Sequence, residues 1–267
     1  MSVHMSERRD GFRRGGAPLA LKPQVYLDER PAERFERYHA RARRRGPDWV
    51  YDLVRLLVTP FCTIVFRMRA LQTRNVPGAG AVILAPNHFS AMDHFFCGMF
   101  LRRRVQFMAK SQLFRGVLAW ILRNGAAFPV RRGKHDEEAM VTALQILARG
   151  GVIVIYPEGG RSRTQQVGRQ ARRGVGRLAL ESGAPVIPVA IHGSLRARNW
   201  KRLEFPKVTV RYGEPLAYPT VEASDAEQQQ AVAQEVLGSV RALYDELNGS
   251  RERSAAPAVP APPPAAH

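Results

Sequence analysis

Ala81-Val82-Ile83-Leu84-Ala85-Pro86-Asn87-His88-Phe89-Ser90-Ala91-Met92-Asp93 runs from a short apolar segment to a histidine, with a carboxylate five positions further on. Residues 81–85 have the length and composition of a buried strand. Five positions do not place two side chains on one helix face, because at about 100° per residue they point about 140° apart. The pair can act together only if His88 lies on the turn after the strand and Asp93 in the first turn of the helix that follows. Ser90 is suited to cap that helix, which puts Asp93 at its third position. Two readings of Asp93 stay open here. It closes a capping interaction, or it orients an imidazole serving as general base at the mouth of an α/β sheet.

Outward from this stretch, short apolar or β-branched runs at 105–108, 152–156, 186–191 and 208–212 alternate with segments of helical length and periodicity at 113–122, 135–147 and 171–182. Such alternation predicts an α/β fold, with a mostly parallel or mixed central sheet flanked by helices. Functional residues then belong at the carboxyl ends of strands. His88 follows one strand and Glu158 follows another. A polar helix is expected from 225 to 247, and no internal repeat is present.

The sequence divides into a basic, disordered N-terminus (1–24), a helical segment with a membrane-docking character (25–70), an α/β domain (71–248) and a disordered Ala/Pro-rich tail (249–267). Residues 28–45 mix Glu and Arg and read as a solvated helix or a basic membrane-surface segment. The longest apolar stretch, 49–68, is interrupted by Asp52, Arg55 and Pro60. Its unbroken neutral part is shorter than the roughly 20 residues that a membrane span needs. It reads as a core helix or as an amphipathic helix in the bilayer interface.

The net charge is +18 over 267 residues, and it is unevenly spread. Between His94 and His135 lie nine basic residues and no acid, and between Gly159 and Leu180 six arginines and no acid. Such a field suits nucleic acid, an anionic membrane surface or phosphorylated substrates. No helix-turn-helix, zinc-finger or RNP-like pattern supports the first, so no nucleic acid is expected. Two cysteines, Cys62 and Cys97, make no disulfide framework and read as buried thiols in a reducing compartment. No secretory signal is evident, so the protein is expected on the cytoplasmic face of the membrane.

Three further blocks follow the His88–Asp93 stretch in order: Phe128-Pro129-Val130-Arg131-Arg132, Tyr156-Pro157-Glu158-Gly159-Gly160-Arg161-Ser162 and Pro185-Val186-Ile187-Pro188-Val189-Ala190. Together the four blocks resemble the glycerolipid acyltransferase family, over about residues 50 to 215. The one departure is Gly160, where the family usually has threonine. The resemblance implies transfer of a fatty acyl chain from acyl-CoA or acyl-carrier protein to the hydroxyl of a lysophospholipid acceptor, 1-acyl-glycerol-3-phosphate, in phospholipid biosynthesis. Glycerol-3-phosphate or another lysolipid is the alternative acceptor. It also implies a protein peripheral to an anionic membrane surface.

Acyl transfer needs a base for the attacking hydroxyl, and a histidine has an unperturbed pKa near 6.5 that leaves it neutral at pH 7. A carboxylate on the other ring nitrogen fixes the tautomer and favours the imidazolium. His88 and Asp93 fit these catalytic roles, and the resemblance implies the same. Arginine grips phosphate through its planar fork, and by resemblance Arg131 and Arg161 bind the acceptor phosphate. Arg132 and Lys110 are further candidates. Glu158 could orient Arg161 or bond the acceptor's free hydroxyl, and Gly159-Gly160 permit a tight turn with exposed backbone donors. No G-x-S-x-G elbow hosts an acyl-serine. No metal and no cofactor are expected. His94 reads as solvent-facing or packed, His192 as a satisfied strand-end histidine, and Cys97 as core.

Overall fold

The computed structural model describes residues 28–131, 136–162, 164 and 166–255. The expectations for residues 1–24, for Arg132 and for the tail beyond 255 lie outside the described residues. Seven strands form one sheet: β1 (Arg69–Leu71), β2 (Val82–Pro86), β3 (Gln106–Lys110), β4 (Ala127–Val130), β5 (Val152–Val154), β6 (Val186–His192) and β7 (Thr209–Tyr212), in the order β1-β7-β6-β2-β5-β3-β4. Every pairing is parallel except β6 with β7. The expected mixed α/β sheet is the observed one. β1 and β4 had no counterpart among the expected strands. β1 is three residues long, too short for a pattern, and β4 contains Pro129, which an edge strand tolerates because its outer side makes no ladder bonds.

β2 is the central strand, buried along its whole length, and period-two alternation divides the core about it. Val82 and Leu84 pack with Val154 and Ile187 on one face, together with Tyr51, Cys62, Phe96 and Cys97. Ile83 and Ala85 pack on the other face with Phe128, Ala143, Leu178 and Val236. The first face is covered by α2 (Trp49–Val65) and α3 (Asp93–Gly98), the second by α5 (Glu137–Ala148), α6 (Gly174–Ser182) and α7 (Ala226–Ala255). Both cysteines are buried free thiols.

Two expectations need correction. α1 (Glu33–Arg44) is not a solvated helix: Phe35, Tyr38, His39 and Ala42 are buried. These fall on one face at helical spacing, hidden in the sequence by the charges between them. α7 continues to Ala255, eight residues beyond the expected end at 247, since the sequence places no proline to stop it before residue 257. α3 begins at Asp93, and the turn before it is capped as expected: Ser90 Oγ accepts the Met92 N–H at 3.2 Å while Asp93 Oδ2 accepts the Ser90 N–H at 2.7 Å, the reciprocal pair of a capping box.

α2 is core on one side and exposed on the other. Val50, Tyr51 and Cys62 enter the core, while Leu56 (69% exposed), Leu57 and Ile64 (76%) stand in solvent. α4 (Gly116–Asn124) lies beside it, with Trp49 and Trp120 in edge-to-face contact at 6.3 Å and Val117 77% exposed. No helix among the described residues is long and apolar enough to cross a membrane.

His39 illustrates how α1 is tied down. Its Nδ1 meets Thr142 Oγ1 at 2.9 Å, and burial, opposed by the nearby Asp136 carboxylate, pulls its pKa down to about 4. The unfolded chain, titrating near 6.5, therefore binds more protons than the folded one between those values. Stability is full above about pH 6.5 and declines as pH falls toward 4, by up to about 3 kcal/mol from this residue. Denaturant titrations of wild type and His39→Gln across this range should converge as pH falls, the variant showing the flatter dependence.

Candidate active site

The turn after β2 is held from both sides. Asn87, fully buried, accepts from the Ile191 backbone N–H through Oδ1 at 2.7 Å and donates to the Ile191 carbonyl through Nδ2 at 3.1 Å. This clamp to β6 fixes the position of the next residue. His88 is 4% exposed, and its Nδ1 lies 2.9 Å from Asp93 Oδ2. The same carboxylate oxygen accepts the backbone N–H groups of Phe89 and Ser90, both at 2.7 Å. Asp93 itself is fully buried. An ionised carboxylate only accepts, so Nδ1 carries the proton and Nε2 the lone pair. The two readings of Asp93 merge: one oxygen closes the turn and orients the imidazole.

Glu158 has a role that the sequence did not suggest. Its Oε1 accepts the His88 backbone N–H at 2.9 Å and its Oε2 accepts the Gly168 N–H at 3.0 Å. Burial, then the nearby Asp93 charge, raises its pKa against the lowering effect of those two bonds. Glu158 thus positions His88 through the main chain. The following turn needs Gly159, at φ +68, where a Cβ would come within 2.5 Å of Arg172 Cγ. Beyond it the Ser162 N–H donates to the His88 carbonyl at 2.8 Å.

Arg198 completes this lock and was invisible as a motif. It sits in a 3₁₀ segment after β6, donates from Nε to the Phe89 carbonyl and from NH2 to the Ser162 carbonyl at 2.6 Å. It joins the turn after β2 to the loop carrying Arg161. Burial and the neighbouring Arg161 charge both lower its pKa, so the two guanidinium groups lie in one field. Only the fold brings residue 198 here; no spacing signals it.

Two cavities are lined by residues that touch the His88 ring. The Tyr156 ring stacks on His88 at 3.9 Å, and Tyr156 also lines a hollow of about 520 Å³ together with Arg131, Gly159, Arg172 and Arg173. On the other side His94 meets the His88 ring at 5.3 Å. It lines an apolar cavity of about 430 Å³ with Val58, Phe107, Leu118 and Ile121. A cationic space and a greasy one thus each share a ring neighbour with His88, Tyr156 in the first and His94 in the second. Arg131 is in the first, steadied where its N–H donates to Asp136 Oδ2 at 2.6 Å. Arg172 and Arg173, absent from the sequence expectations, share it.

The remaining candidates are distributed around this centre. Lys110 closes β3, in register with Val130. Arg161 and Gly160 lie on the loop locked to His88. His94 is packed among rings, and His192 Nε2 reaches Asn248 Oδ1 at 3.2 Å, away from the turn. Cys97 is enclosed and its thiol pKa is pushed well up by burial, which suits core packing and not attack.

Glu158→Gln should lower unfolding free energy by about 1–3 kcal/mol, because an amide can accept only one of the two buried N–H groups. Activity should fall with it. A denaturation midpoint unchanged from wild type would contradict this positioning role.

Residues 67–192 match the family model described as Acyltransferase. The chain is 27% identical over 153 residues to a 1-acyl-sn-glycerol-3-phosphate acyltransferase of Bacillus subtilis, covering 56% of this chain and 73% of that protein. It is 29% identical over 130 residues to the Pseudomonas aeruginosa protein of the same name, covering 48% and 49%. A third, from Borreliella burgdorferi, is 29% identical over 125 residues, covering 46% and 50%. The match thus spans about half the length of the last two. The crystal structure of the 1-acyl-sn-glycerophosphate (LPA) acyltransferase PlsC from Thermotoga maritima superposes with a TM-score of 0.56, at 22% identity, over 80% of this chain and 88% of that one. That likeness is one of fold.

Proposed function

We propose that this chain, whose residues 67–192 match the Acyltransferase family model, moves a fatty acyl group from a thioester donor to the free hydroxyl of 1-acyl-glycerol-3-phosphate. The observation that carries the reading is the His88–Asp93 hydrogen bond, with the His88 ring in contact with Tyr156 of a cationic hollow and His94 of an apolar cavity. In the reaction, His88 Nε2 takes the acceptor's hydroxyl proton as its oxygen attacks the thioester carbonyl. The C–S bond breaks from the tetrahedral adduct, and the imidazolium returns the proton to the leaving thiolate. Asp93 stabilises the transient imidazolium without itself taking the proton. With no serine elbow in the sequence, attack is direct, within a ternary complex.

Arg131, with Arg172 and Arg173, supplies the forked donors that an acceptor phosphate requires. Arg161, on the loop locked to His88, is the fourth. The apolar cavity suits the acyl chain, whose transfer out of water favours binding at about 0.8 kcal/mol per methylene. Acyl-CoA and acyl-carrier protein are both compatible donors, and no cofactor takes part in these steps. The apolar face shared by α2 and α4, aromatic at Trp49 and Trp120, supports a peripheral position on a membrane, where such rings sit at the headgroup level.

His88→Ala should reduce transfer by about 10³-fold or more, with the far-ultraviolet circular dichroism of the wild type retained. Arg161→Ala should raise the Michaelis constant for the acceptor while leaving that for the donor near wild type. An unchanged acceptor constant would remove Arg161 from the phosphate site. A panel of lysophosphatidic acid, glycerol-3-phosphate and neutral lysolipids with labelled acyl-CoA tests the acceptor. Equal use of a neutral lysolipid would contradict the phosphate reading.

A further inference from the structure

A second arginine-lined hollow lies away from the catalytic turn. It has a volume of about 550 Å³, is walled by α1 and α4, and takes five of its ten lining residues from arginine and none from Asp or Glu. Arg30 is committed: it is paired with Asp28 and donates to the carbonyls of Ser111 and Phe114. Arg37 lies over the Tyr38 ring. Arg34 and Arg115 are exposed. Arg123 also lines the hollow, and its Nε is buried with no hydrogen-bond partner among the described residues. Several guanidinium groups without a facing carboxylate repel one another, a cost offset when an anion is bound between them.

The hollow has an apolar shore. Trp120 lines it and is also half-exposed, in ring contact with Trp49 of α2. From there the surface continues over Val117, Leu57 and Ile64, all exposed. The opposite side of α4 supplies Leu118, Ile121 and Leu122 to the apolar cavity beside the catalytic turn. A single helix therefore separates the arginine hollow from the acyl space. We propose that this hollow is a docking site for the phosphate of an anionic membrane phospholipid, distinct from the substrate phosphate site, and that it seats α2 and α4 on the bilayer. The choice of a lipid over a soluble anion rests on that continuity: a headgroup phosphate held here leaves its chains beside exposed tryptophan and aliphatic side chains. This inference rests on the peripheral-membrane reading above.

The test is vesicle flotation with wild type, Arg34→Gln/Arg115→Gln and a charge-matched control, Arg74→Gln/Arg102→Gln, whose exposed arginines lie outside the hollow. Vesicles are phosphatidylcholine alone or with phosphatidylglycerol, and inorganic phosphate and coenzyme A serve as soluble competitors. Each arginine near an anionic surface changes binding by about fivefold, so the hollow variant should lose about twenty-fivefold on the mixed vesicles. The control should lose less than about twofold. Transfer in neutral detergent micelles should remain at the wild-type level in both variants. Equal losses in the two variants would overturn the proposal in favour of a diffuse field. Displacement of wild type from vesicles by millimolar phosphate or coenzyme A would assign the hollow to a soluble anion instead. Unchanged vesicle binding by Arg34→Gln/Arg115→Gln, with loss in Leu57→Ser/Ile64→Ser, would remove the headgroup site and leave the membrane reading standing. Wild type that floats with neither vesicle would remove both.

Discussion

One carboxylate oxygen organises this site. Asp93 Oδ2 accepts three N–H groups, from the His88 ring and from the backbone of Phe89 and Ser90, inside a region closed to water. Three charge-assisted bonds on one acceptor fix the turn and the ring together. The imidazole cannot rotate without abandoning Asp93, and Asp93 cannot leave without exposing two buried backbone donors. The remaining contacts secure the same few residues from other directions. Asn87 ties the turn to β6, Glu158 holds the His88 N–H, Ser162 holds its carbonyl, and Arg198 links the Phe89 carbonyl to the next loop. The base is thereby prepared before any substrate arrives, the condition under which positioned groups accelerate a reaction most.

The chemistry divides along the sheet. β2 delivers the base and β5 the loop with Glu158, Gly159 and Arg161. The carboxyl end of β4 delivers Arg131. Because β2, β3, β4 and β5 run parallel, all these ends open on one side. The cationic hollow collects arginines from β4 and from the segment leading into α6. The apolar cavity is built from α2, α3 and α4 on the face of the sheet opposite α5 to α7. The proposed amphiphilic acceptor and thioester donor would use such a division.

Much of this was legible in the sequence because it was local. Ala81 to Asp93 contains the strand, the turn, the base and its partner within one short stretch, and the alternation of strand and helix periods announced the mixed sheet. Gly159 was legible as a turn residue for the same reason. What escaped was long-range or masked by charge. Arg198 acts 109 residues from Phe89 and has no motif about it. Arg172 and Arg173 were two among 36 arginines counted in the sequence. α1 hides its buried stripe beneath alternating Glu and Arg, and β1 is too short for any period. Glu158 was found by its block, but residue type alone does not reveal that both its oxygens accept backbone N–H groups. The apolar stretch at 49–68 was ambiguous for a physical reason: its helix is both core and exposed surface.

The central claim is that Asp93 holds the proton of His88 on Nδ1 and leaves Nε2 to accept one. Nitrogen-15 NMR of ring-labelled histidine, at a pH where the ring is neutral, reads this directly. The structure predicts a protonated Nδ1 and an unprotonated Nε2 for His88, with the preference lost in Asp93→Ala. A neutral His88 carrying its proton on Nε2 in the wild type would contradict the account at its root.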